Sequence, residues 1–477
     1  MSRKRGHAVV IGSGPNGLAA AITLARAGHA VTVLEAADAI GGGVRSAELT
    51  LPGFVHDVCS AIYPFGRLSP FFRGVDLEAR GLRWITPPLA IGHPFDNEPP
   101  VLLGQDVEAT AAGLGADRDA YRRLLGPLVE HYDELLPHLL APFHVPLRPW
   151  VAVRMARFGL DAIQSATRIA RRFEGRRARA LWAGAAAHAI LPLNERLSSA
   201  AGLMMLATAH AGGWPLPAGG AGSIATALAN ELTSLGGSIE TSNRIEHLDD
   251  LPEHDVALFD VAPRALAAIC GDDLPGRFRR RLEGYRHGPG VFKLDIALDG
   301  PIPWRDEVLL RAGTIHLGAT FEEVARSEFD VGRGRHPERP FVLLAQQSLF
   351  DASRAPDGKH TVWAYCHVPN GSTVDMTGRI LNQIERFAPG FRDRLLASVA
   401  TGPAQLEEAN ANYVGGDIAC GRFDLGQLFT RPSWRLFNPY STPNKRVYLC
   451  SAATPPGAGV HGMGGFNAAR SALRRLG

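Results

Sequence analysis

Near its start the chain reads Val9-Val10-Ile11-Gly12-Ser13-Gly14-Pro15-Asn16-Gly17-Leu18-Ala19-Ala20-Ala21, and Val31-Thr32-Val33-Leu34-Glu35 follows shortly after. This order predicts a strand, a tight turn, a helix, a second strand and then a carboxylate. The glycines permit the turn, let the backbone approach a pyrophosphate and let the helix pack on the strands. The helix N-terminus would direct unpaired N–H groups at the phosphates. Glu35 lies about 20 residues after the glycines, at the position where an acid accepts ribose hydroxyls. The stretch therefore predicts a dinucleotide-binding unit.

A second glycine-rich segment, Ile40-Gly41-Gly42-Gly43-Val44-Arg45, follows Glu35 closely. Its backbone amides are available to another part of the same ligand, and Arg45 is available to a phosphate. The alternative is a glycine-rich surface loop without a ligand, but the preceding fingerprint favours binding. The residues that these two segments assign to the dinucleotide are Gly12, Ser13, Gly14, Pro15, Asn16, Gly17, Glu35, Ala36, Gly42, Gly43 and Arg45.

Composition limits the classes of function. The chain has 477 residues, 45% hydrophobic and 20% charged, which predicts a globular protein of two or three domains. The net charge of +3 is too small to predict a nucleic-acid partner. The five cysteines form no Cys-x-x-Cys pair, which disfavours a dithiol centre and a four-cysteine zinc site, and no metal site is predicted. The cysteines are scattered, and neither a secretory leader nor a run of ~18 apolar residues is found. These features predict a cytoplasmic location.

The rest of the chain alternates between helical and strand patterns. Apolar spacing predicts helices over residues 117–140, 150–189, 197–211 and 224–235. Strands are predicted at 238–241, 244–245, 256–260, 292–298, 341–344 and 361–368. At the end, a strand over 446–453, a glycine-rich turn over 454–465 and a helix over 466–476 repeat the opening pattern. A second helix N-terminus is therefore predicted to face the ligand.

Arginines crowd the helical block between residues 148 and 179, opposite an apolar stripe. The arginines are Arg148, Arg154, Arg157, Arg168, Arg171, Arg172, Arg176, Arg177 and Arg179, and the stripe is Met155, Phe158, Ala162, Ala166, Ile169 and Phe173. Three interpretations stay open. The favoured one is a helix with a solvated arginine face. The others are a basic amphipathic helix in peripheral contact with an anionic membrane, and an oligomer contact.

Further segments carry a resemblance to a known family. They are His56-Asp57-Val58-Cys59-Ser60-Ala61, Leu216-Pro217-Ala218-Gly219-Gly220, Gly313-Thr314-Ile315-His316-Leu317-Gly318, residues 353–361, Tyr413-Val414-Gly415-Gly416-Asp417-Ile418 and residues 448–467. With the N-terminal fingerprint, they resemble the phytoene-desaturase-related FAD oxidoreductases, in the branch of the amine oxidase superfamily called pyridine nucleotide-disulfide oxidoreductase domain-containing protein 2. The word "disulfide" finds no support here, because the chain has no vicinal cysteine pair.

The resemblance implies an α/β fold. It combines a Rossmann-like FAD-binding domain of the glutathione-reductase and amine-oxidase type with an inserted α+β substrate domain. The FAD-binding domain is expected to be discontinuous, over residues 1–70, 214–285 and 420–477. Residues 71–213 and 286–419 would form the substrate domain, with helical and mixed-sheet insertions. The flavin ring is expected between the two domains.

The resemblance also implies further FAD contacts at Ser60, Ala61, Ile245, Gly459, Val460 and His461. A strand near Ile245 would lay its backbone against adenine, although a plain αβ unit without a ligand fits the same spacing. The turn at 454–465 would face the flavin. The His461 side chain is a candidate proton carrier, whereas the alternative is that only the backbone matters there.

Lys293 is the best candidate for a catalytic side chain. The segment Val291-Phe292-Lys293-Leu294-Asp295-Ile296 resembles the amine oxidase strand whose lysine holds a water at flavin N5. A lysine is a compact donor suited to that task. The alternative is an edge-strand lysine in solvent.

The family's chemistry implies removal of hydride from a C–H bond of an apolar small molecule to flavin N5, with oxygen or a quinone as electron acceptor. Two alternatives stay open: a redox-neutral isomerase or cyclase assisted by reduced flavin, and a flavin-holding interaction protein with little catalysis. A separately bound NAD(P)H is disfavoured, because the second Gly-x-Gly-x-x-Gly spacing, at Gly457, Gly459 and Gly462, lies in the C-terminal turn assigned to the flavin.

Overall fold

A computed structural model describes residues 6–428, 431–433 and 435–476 of the chain. The strands of this described part are β1 His7–Ile11, β2 Ala30–Leu34, β3 Ser46–Glu48, β4 Val55–Asp57, β5 Trp84–Ile85, β6 Leu89–His93, β7 Val101–Leu103, β8 Leu216–Pro217, β9 Ser238–Glu240, β10 Val256–Phe259, β11 Gly290–Leu298, β12 Ala312–Leu317, β13 Val342–Ala345, β14 His360–Val368, β15 Leu395–Thr401 and β16 Val447–Leu449.

The helices of the described part are α1 Pro15–Arg26, α2 Pro70–Arg73, α3 Val107–Ala112, α4 Arg118–Glu130, α5 Tyr132–Leu139, α6 Pro149–Ala162, α7 Ala166–Ala170, α8 Arg176–Ala187, α9 Ser198–Gly212, α10 Gly222–Ser234, α11 Pro263–Cys270, α12 Gly276–Glu283, α13 Phe321–Gly332, α14 Thr377–Phe387, α15 Pro403–Ala409, α16 Leu425–Leu428 and α17 Met463–Leu476. None of the helices in these ranges combines the length and the apolar character that a membrane span needs.

A five-stranded parallel sheet holds the N-terminal fingerprint. Its order is β16-β10-β1-β2-β9, with every neighbouring pair parallel. The central strand is apolar and almost wholly buried because helices cover both faces of such a sheet. Helix α1 connects β1 to β2, so the predicted βαβ unit and the Rossmann-like fold class are confirmed.

The C-terminal segment returns to this sheet. Strand β16 pairs with β10, and α17 packs against α1. The two helices approach so closely that a Cβ at Gly465 would overlap the carbonyl oxygen of Asn16. The first and last parts of the described chain therefore form one structural unit.

A seven-stranded mixed sheet forms the second layer, in the order β15-β11-β14-β13-β12-β6-β7. Its pairs are antiparallel except that β12 runs parallel to β6. Alternate residues serve two cores: Leu343 and Tyr365 pack toward the first sheet and its helices, whereas Leu344 and Ala364 pack on the opposite face. The predicted domain boundaries between these sheets stay a prediction.

The helical patterns predicted over 117–140 and 150–189 are confirmed as groups of two and three helices, whereas the strand predicted at 244–245 was wrong. The helical block over 150–189 divides into three helices, because Ser165 caps α7 through its side chain and Gly175 is the N-cap of α8. The predicted strand at 244–245 is an irregular segment. It is held beside the end of β2 by hydrogen bonds from Ser242 N to Ala37 O and from Asn243 N to Glu35 O, both 2.8 Å.

Candidate functional site

A cavity of about 820 Å³ lies where the carboxyl ends of the parallel strands meet, and it extends to the seven-stranded sheet. This edge is where open α/β sheets bind ligands. Of the residues assigned to the cofactor from the sequence, those that line the cavity are Gly12, Gly14, Pro15, Asn16, Glu35, Ala36, Gly42, Gly43, Arg45, Ser60, Ala61, Ile245, Gly459 and Val460. Residues from both ends of the chain are thus brought to one chamber.

Ser13 and Gly17 act from behind the cavity wall. Ser13 donates to Oε2 of Glu35 through its backbone N at 2.8 Å and its Oγ at 2.6 Å, and Ala37 N donates to Oε1 at 2.9 Å. Both carboxylate oxygens are therefore oriented, and Oε1, which accepts one hydrogen bond where Oε2 accepts two, keeps a lone pair for another donor. A Cβ at Gly17 would overlap the carbonyl oxygen of Gly12, so close packing of α1 on β1 requires glycine there.

Asp260 is a cavity residue that sequence reasoning missed. It directly follows β10 and accepts a hydrogen bond from Gly17 N at 2.8 Å. Burial raises the pKa of Asp260 to about 7, the Gly17 N–H opposes the rise, and Glu35 adds to it. The signal available in the sequence was an acid at the end of a buried parallel strand, the same edge that places Glu35.

The glycine loop after β2 is tied to its surroundings through carbonyl oxygens. Arg45 donates to the carbonyl oxygens of Gly42 and Ala409, each at 3.0 Å. Ser60 Oγ donates to Gly43 O at 2.8 Å. Arg45 lines the cavity, and no carboxylate pairs with it in the described residues, so its charge is available to an anionic group.

The C-terminal turn contributes its backbone to the cavity wall. Ala458, Gly459 and Val460 line the cavity, whereas the His461 side chain is buried behind them. His461 Nδ1 accepts from Met463 N at 3.0 Å, and burial lowers the pKa of His461 to about 4. The geometry gives no support to a proton-carrier role for this side chain, and the backbone alternative fits the arrangement.

Lys293 lies on β11, which is an interior strand between β14 and β15. Its side chain is buried and donates to the Asp295 carboxylate, so the alternative of a solvent-exposed edge lysine was wrong. In the ladder Lys293 is opposite Tyr365, which lines the cavity. The lysine therefore shares the cavity-facing side of the sheet without lining the cavity itself.

Several ionisable side chains are buried near Lys293. Burial raises the pKa of Asp295 to about 6, although Lys293 opposes the rise. His56 Nδ1 is 3.7 Å from Asp295 Oδ1, and burial lowers the pKa of His56 to about 3, with Lys293 and Arg354 adding to the effect. Arg354 is fully buried and donates to Asp57 Oδ2 at 3.0 Å.

The far half of the cavity is mainly apolar. Its walls come from the segment after α8, from α9 and the segment after it, and from the seven-stranded sheet, and include Ile190, Met205, Trp214, Leu343, Trp363 and Tyr365. His188 and Thr314 also lie on this part of the wall, and with the hydroxyl of Tyr365 they bring polar groups to it. The described ranges contain no group of histidine, cysteine and carboxylate side chains arranged to hold a metal ion.

Comparisons with known proteins agree with this geometry. A family model described as an NAD(P)-binding Rossmann-like domain matches residues 10–74. The chain is 25% identical to pyridine nucleotide-disulfide oxidoreductase domain-containing protein 2 of Rattus norvegicus, over 98% of this chain and 93% of that protein. It is 27% identical to a phytoene dehydrogenase of Streptomyces griseus, over 95% of this chain and 92% of that protein.

Among solved structures, a triple variant of putrescine oxidase matches with a TM-score of 0.63 and 16% identity, over 98% of this chain and 99% of that chain. At that identity the likeness shows the fold. The relatives of this chain include proteins named after the expected branch and a phytoene dehydrogenase. An oxidase shares its fold. The resemblance predicted from the sequence is therefore confirmed.

Proposed function

We propose that the chain is an FAD-dependent oxidoreductase that removes hydride from a C–H bond of an apolar small molecule and delivers it to flavin N5. The observation that carries this proposal is the single cavity described above. One half is the dinucleotide edge of the parallel sheet, and the other half is an apolar chamber against the second sheet. The oxidoreductase names of the relatives support the same reaction class.

The wall of the cavity fits FAD. Glu35 is oriented to accept a ribose hydroxyl at Oε1, and the beginning of α1 lies beside Gly14, where the backbone is open to a pyrophosphate. The segment from Gly42 to Arg45 would hold the phosphates from the other side. Gly459 and Val460 precede α17, whose N-terminal dipole favours negative charge at the flavin edge.

When bound, FAD supplies the hydride acceptor, and oxygen or a quinone takes up the electrons. The side chains of this protein have the tasks of binding, orienting and excluding water. Trp214, Trp363 and Tyr365 form large aromatic surfaces in the far half of the cavity. Such surfaces hold an apolar substrate by its buried area and keep water from the reacting carbon.

Lys293 belongs to this proposal as a residue behind the chamber wall. Its ammonium group and the Asp295 carboxylate form a buried pair on the side of the sheet that carries Trp363 and Tyr365. A positive group at this place would stabilise negative charge that develops in the adjoining cavity.

The test begins with the purified full-length protein under anaerobic conditions. Candidate apolar compounds are added, and loss of the flavin absorption bands is followed without an electron acceptor. Bleaching by a compound that is recovered with one additional double bond would support the proposal. Conversion of a compound with no bleaching and no acceptor would favour a redox-neutral isomerase. Bound FAD that no compound reduces would favour a flavin-holding interaction protein.

A further inference from the structure

Thr314 is an unpaired hydroxyl in the wall of the apolar chamber. It lies on β12, lines the cavity and is 4% exposed. Its Oγ1 is buried and finds no hydrogen-bond partner among the described residues. A buried hydroxyl without a partner is costly, and rotation about the Cα–Cβ bond would turn it toward the cavity that this side chain lines. A polar atom on a ligand there would give the hydroxyl its partner.

A second polar group reaches the same chamber from the end of α8. His188 lines the cavity, and its Nε2 is 3.2 Å from Nε2 of His316. His316 is two residues from Thr314 on β12, so the two side chains share one face of the strand about 7 Å apart. Burial lowers the pKa of His188 to about 3 and that of His316 well below its ordinary value. Both rings are therefore neutral near pH 7, and each carries one N–H proton.

The surroundings of His316 decide which nitrogen carries that proton. Its Nδ1 is buried without a partner, and a Cβ added at Gly184 would lie 2.5 Å from it, so the wall of α8 packs against this atom. A buried bare lone pair costs less than a buried unpaired N–H. His316 therefore carries its proton on Nε2 and donates to His188 Nε2. His188 must then carry its own proton on Nδ1, an atom for which no hydrogen bond is found within the described ranges.

We infer that the chamber takes an apolar molecule bearing one neutral oxygen acceptor, such as a ketone, aldehyde or ester, held by Nδ1–H of His188 and the hydroxyl of Thr314. This inference rests on the proposed function and narrows its substrate class. A pure hydrocarbon would leave both donors unpaired. A carboxylate would meet no cationic side chain among the residues named on this half of the wall, and an ammonium group would meet the His188 donor.

The test compares two probes that differ in one carbonyl group, propiophenone and n-propylbenzene. Equilibrium binding to the FAD-loaded protein is measured by headspace partitioning, which needs no flavin signal. The readout is the ratio of ketone affinity to hydrocarbon affinity in each protein. Thr314→Val keeps the side-chain shape without the hydroxyl, and we expect the ratio to fall about 3–10-fold, as for one lost hydrogen bond. Leu343→Val is the matched control, which should weaken both probes and leave the ratio unchanged.

His188 is tested by a pair of variants. His188→Phe removes the donor and should lower the ratio to a similar extent. His188→Gln offers an oxygen to His316 and an N–H₂ group to the cavity, and should restore much of the ratio. If His188→Phe does not fold, the ratio measured in Thr314→Val alone decides whether the inference holds.

An unchanged ratio in Thr314→Val, or no ketone binding up to its solubility limit, would overturn the inference while FAD remained bound. A protein that takes up no FAD would instead overturn the proposed function.

Discussion

Asp260 shows how one buried carboxyl couples the dinucleotide edge to pH. Burial raises its pKa to about 7, whereas an unfolded aspartate titrates near 4. Between those values the folded state binds the extra proton, so this residue's contribution to stability falls as the pH rises toward 7. The protonated carboxyl also spares an incoming pyrophosphate from charge repulsion.

We therefore expect the affinity for FAD to fall several-fold between about pH 6 and pH 8. Asp260→Asn keeps an acceptor for Gly17 N–H and should bind FAD with little pH dependence over that range. The measurement is titration of the apoprotein with FAD at each pH, followed by quenching of flavin fluorescence. Equal pH dependence in the two proteins would place the titrating group elsewhere.

The buried pair of Lys293 and Asp295 leads to a prediction about stability. Lys293→Met leaves a buried carboxylate without its cation, which should lower the free energy of unfolding by about 3–5 kcal/mol at neutral pH. Lys293 opposes the rise in the pKa of Asp295 to about 6, so its loss should raise that pKa further, and the deficit should shrink as the pH falls and the carboxyl of the variant takes up a proton.

Lys359→Met provides the matched control. Lys359 and Asp299 pair at the surface, with 37% and 58% of the side chains exposed, and removing that cation should cost no more than about 1 kcal/mol. Both variants are compared with the unmodified protein by urea unfolding. If Lys293→Met and Lys359→Met were equally stable, the buried pair of Lys293 and Asp295 would contribute no more to the free energy of unfolding than the exposed pair does.

At this scale the sequence predicted contacts that depend on local backbone geometry. Gly14 and Glu35 line the cavity because the strand-turn-helix unit places them there whatever the rest of the chain does. Asp260 and the tautomer of His188 depend on partners far along the chain. No spacing within the sequence reveals that His188 meets His316 or that Asp260 meets Gly17.

At the scale of elements, periodicity predicted apolar helices better than their ends. The block at 150–189 has helical spacing throughout, yet a side-chain cap at Ser165 and a glycine at 175 divide it. Strands β6, β7 and β15 were missed for a related reason. The first two border prolines, β7 has only three residues, and β15 is an edge strand whose residues are half-buried or exposed.

Helix α6 is apolar on two opposite faces. Val151 and Ala162 face inward and are buried, whereas Trp150, Val153 and Leu160 are 53%, 69% and 70% exposed. A surface helix in water normally has a polar outer face. The arginines on and before α6 include Arg148 and Arg157, while the nearby acids Glu134 and Asp161 are each paired with an arginine. An apolar stripe with excess positive charge suits an anionic lipid surface.

We expect the full-length protein to bind vesicles of phosphatidylglycerol and phosphatidylcholine. Val153→Ser combined with Leu160→Ser should reduce the bound fraction severalfold in a sedimentation assay. Leu396→Ser, at an exposed site on β15, is the control and should bind as the unmodified protein does. A dimer in solution that the double variant dissolves, with no vesicle binding, would identify the stripe as a contact between copies.

At the scale of the whole molecule, the fold depends on the meeting of its two ends. Gly465 of α17 lies against the backbone of Asn16 and Ala20 in α1, with no room for a Cβ. This contact holds the turn at 457–460 over the dinucleotide edge, where Gly459 lines the cavity. The repeated pattern of strand, glycine turn and helix predicted the C-terminal unit. Its position beside α1 depends on contacts between segments that are far apart in the sequence, and the pattern does not reveal them.

Gly465→Ala should therefore lower the melting temperature and weaken FAD retention together, because the extra methyl group pushes α17 away from α1. Gly126→Ala is the control. Gly126 lies inside α4 with no atom within 4 Å of an added Cβ, and alanine there should leave FAD retention unchanged and favour the helix by up to about 1 kcal/mol. Normal FAD retention in Gly465→Ala would show that the two helices need not pack so closely.

The most direct measurement of the central claim is the molar ratio of FAD to protein. The cofactor is released by denaturing the full-length protein after purification and saturation with FAD, and it is identified by chromatography. We expect a ratio close to one, and a much lower ratio in Glu35→Gln, whose amide would set an N–H₂ group against the Ser13 and Ala37 donors. A colourless protein that takes up no FAD even when supplied in excess would contradict the account.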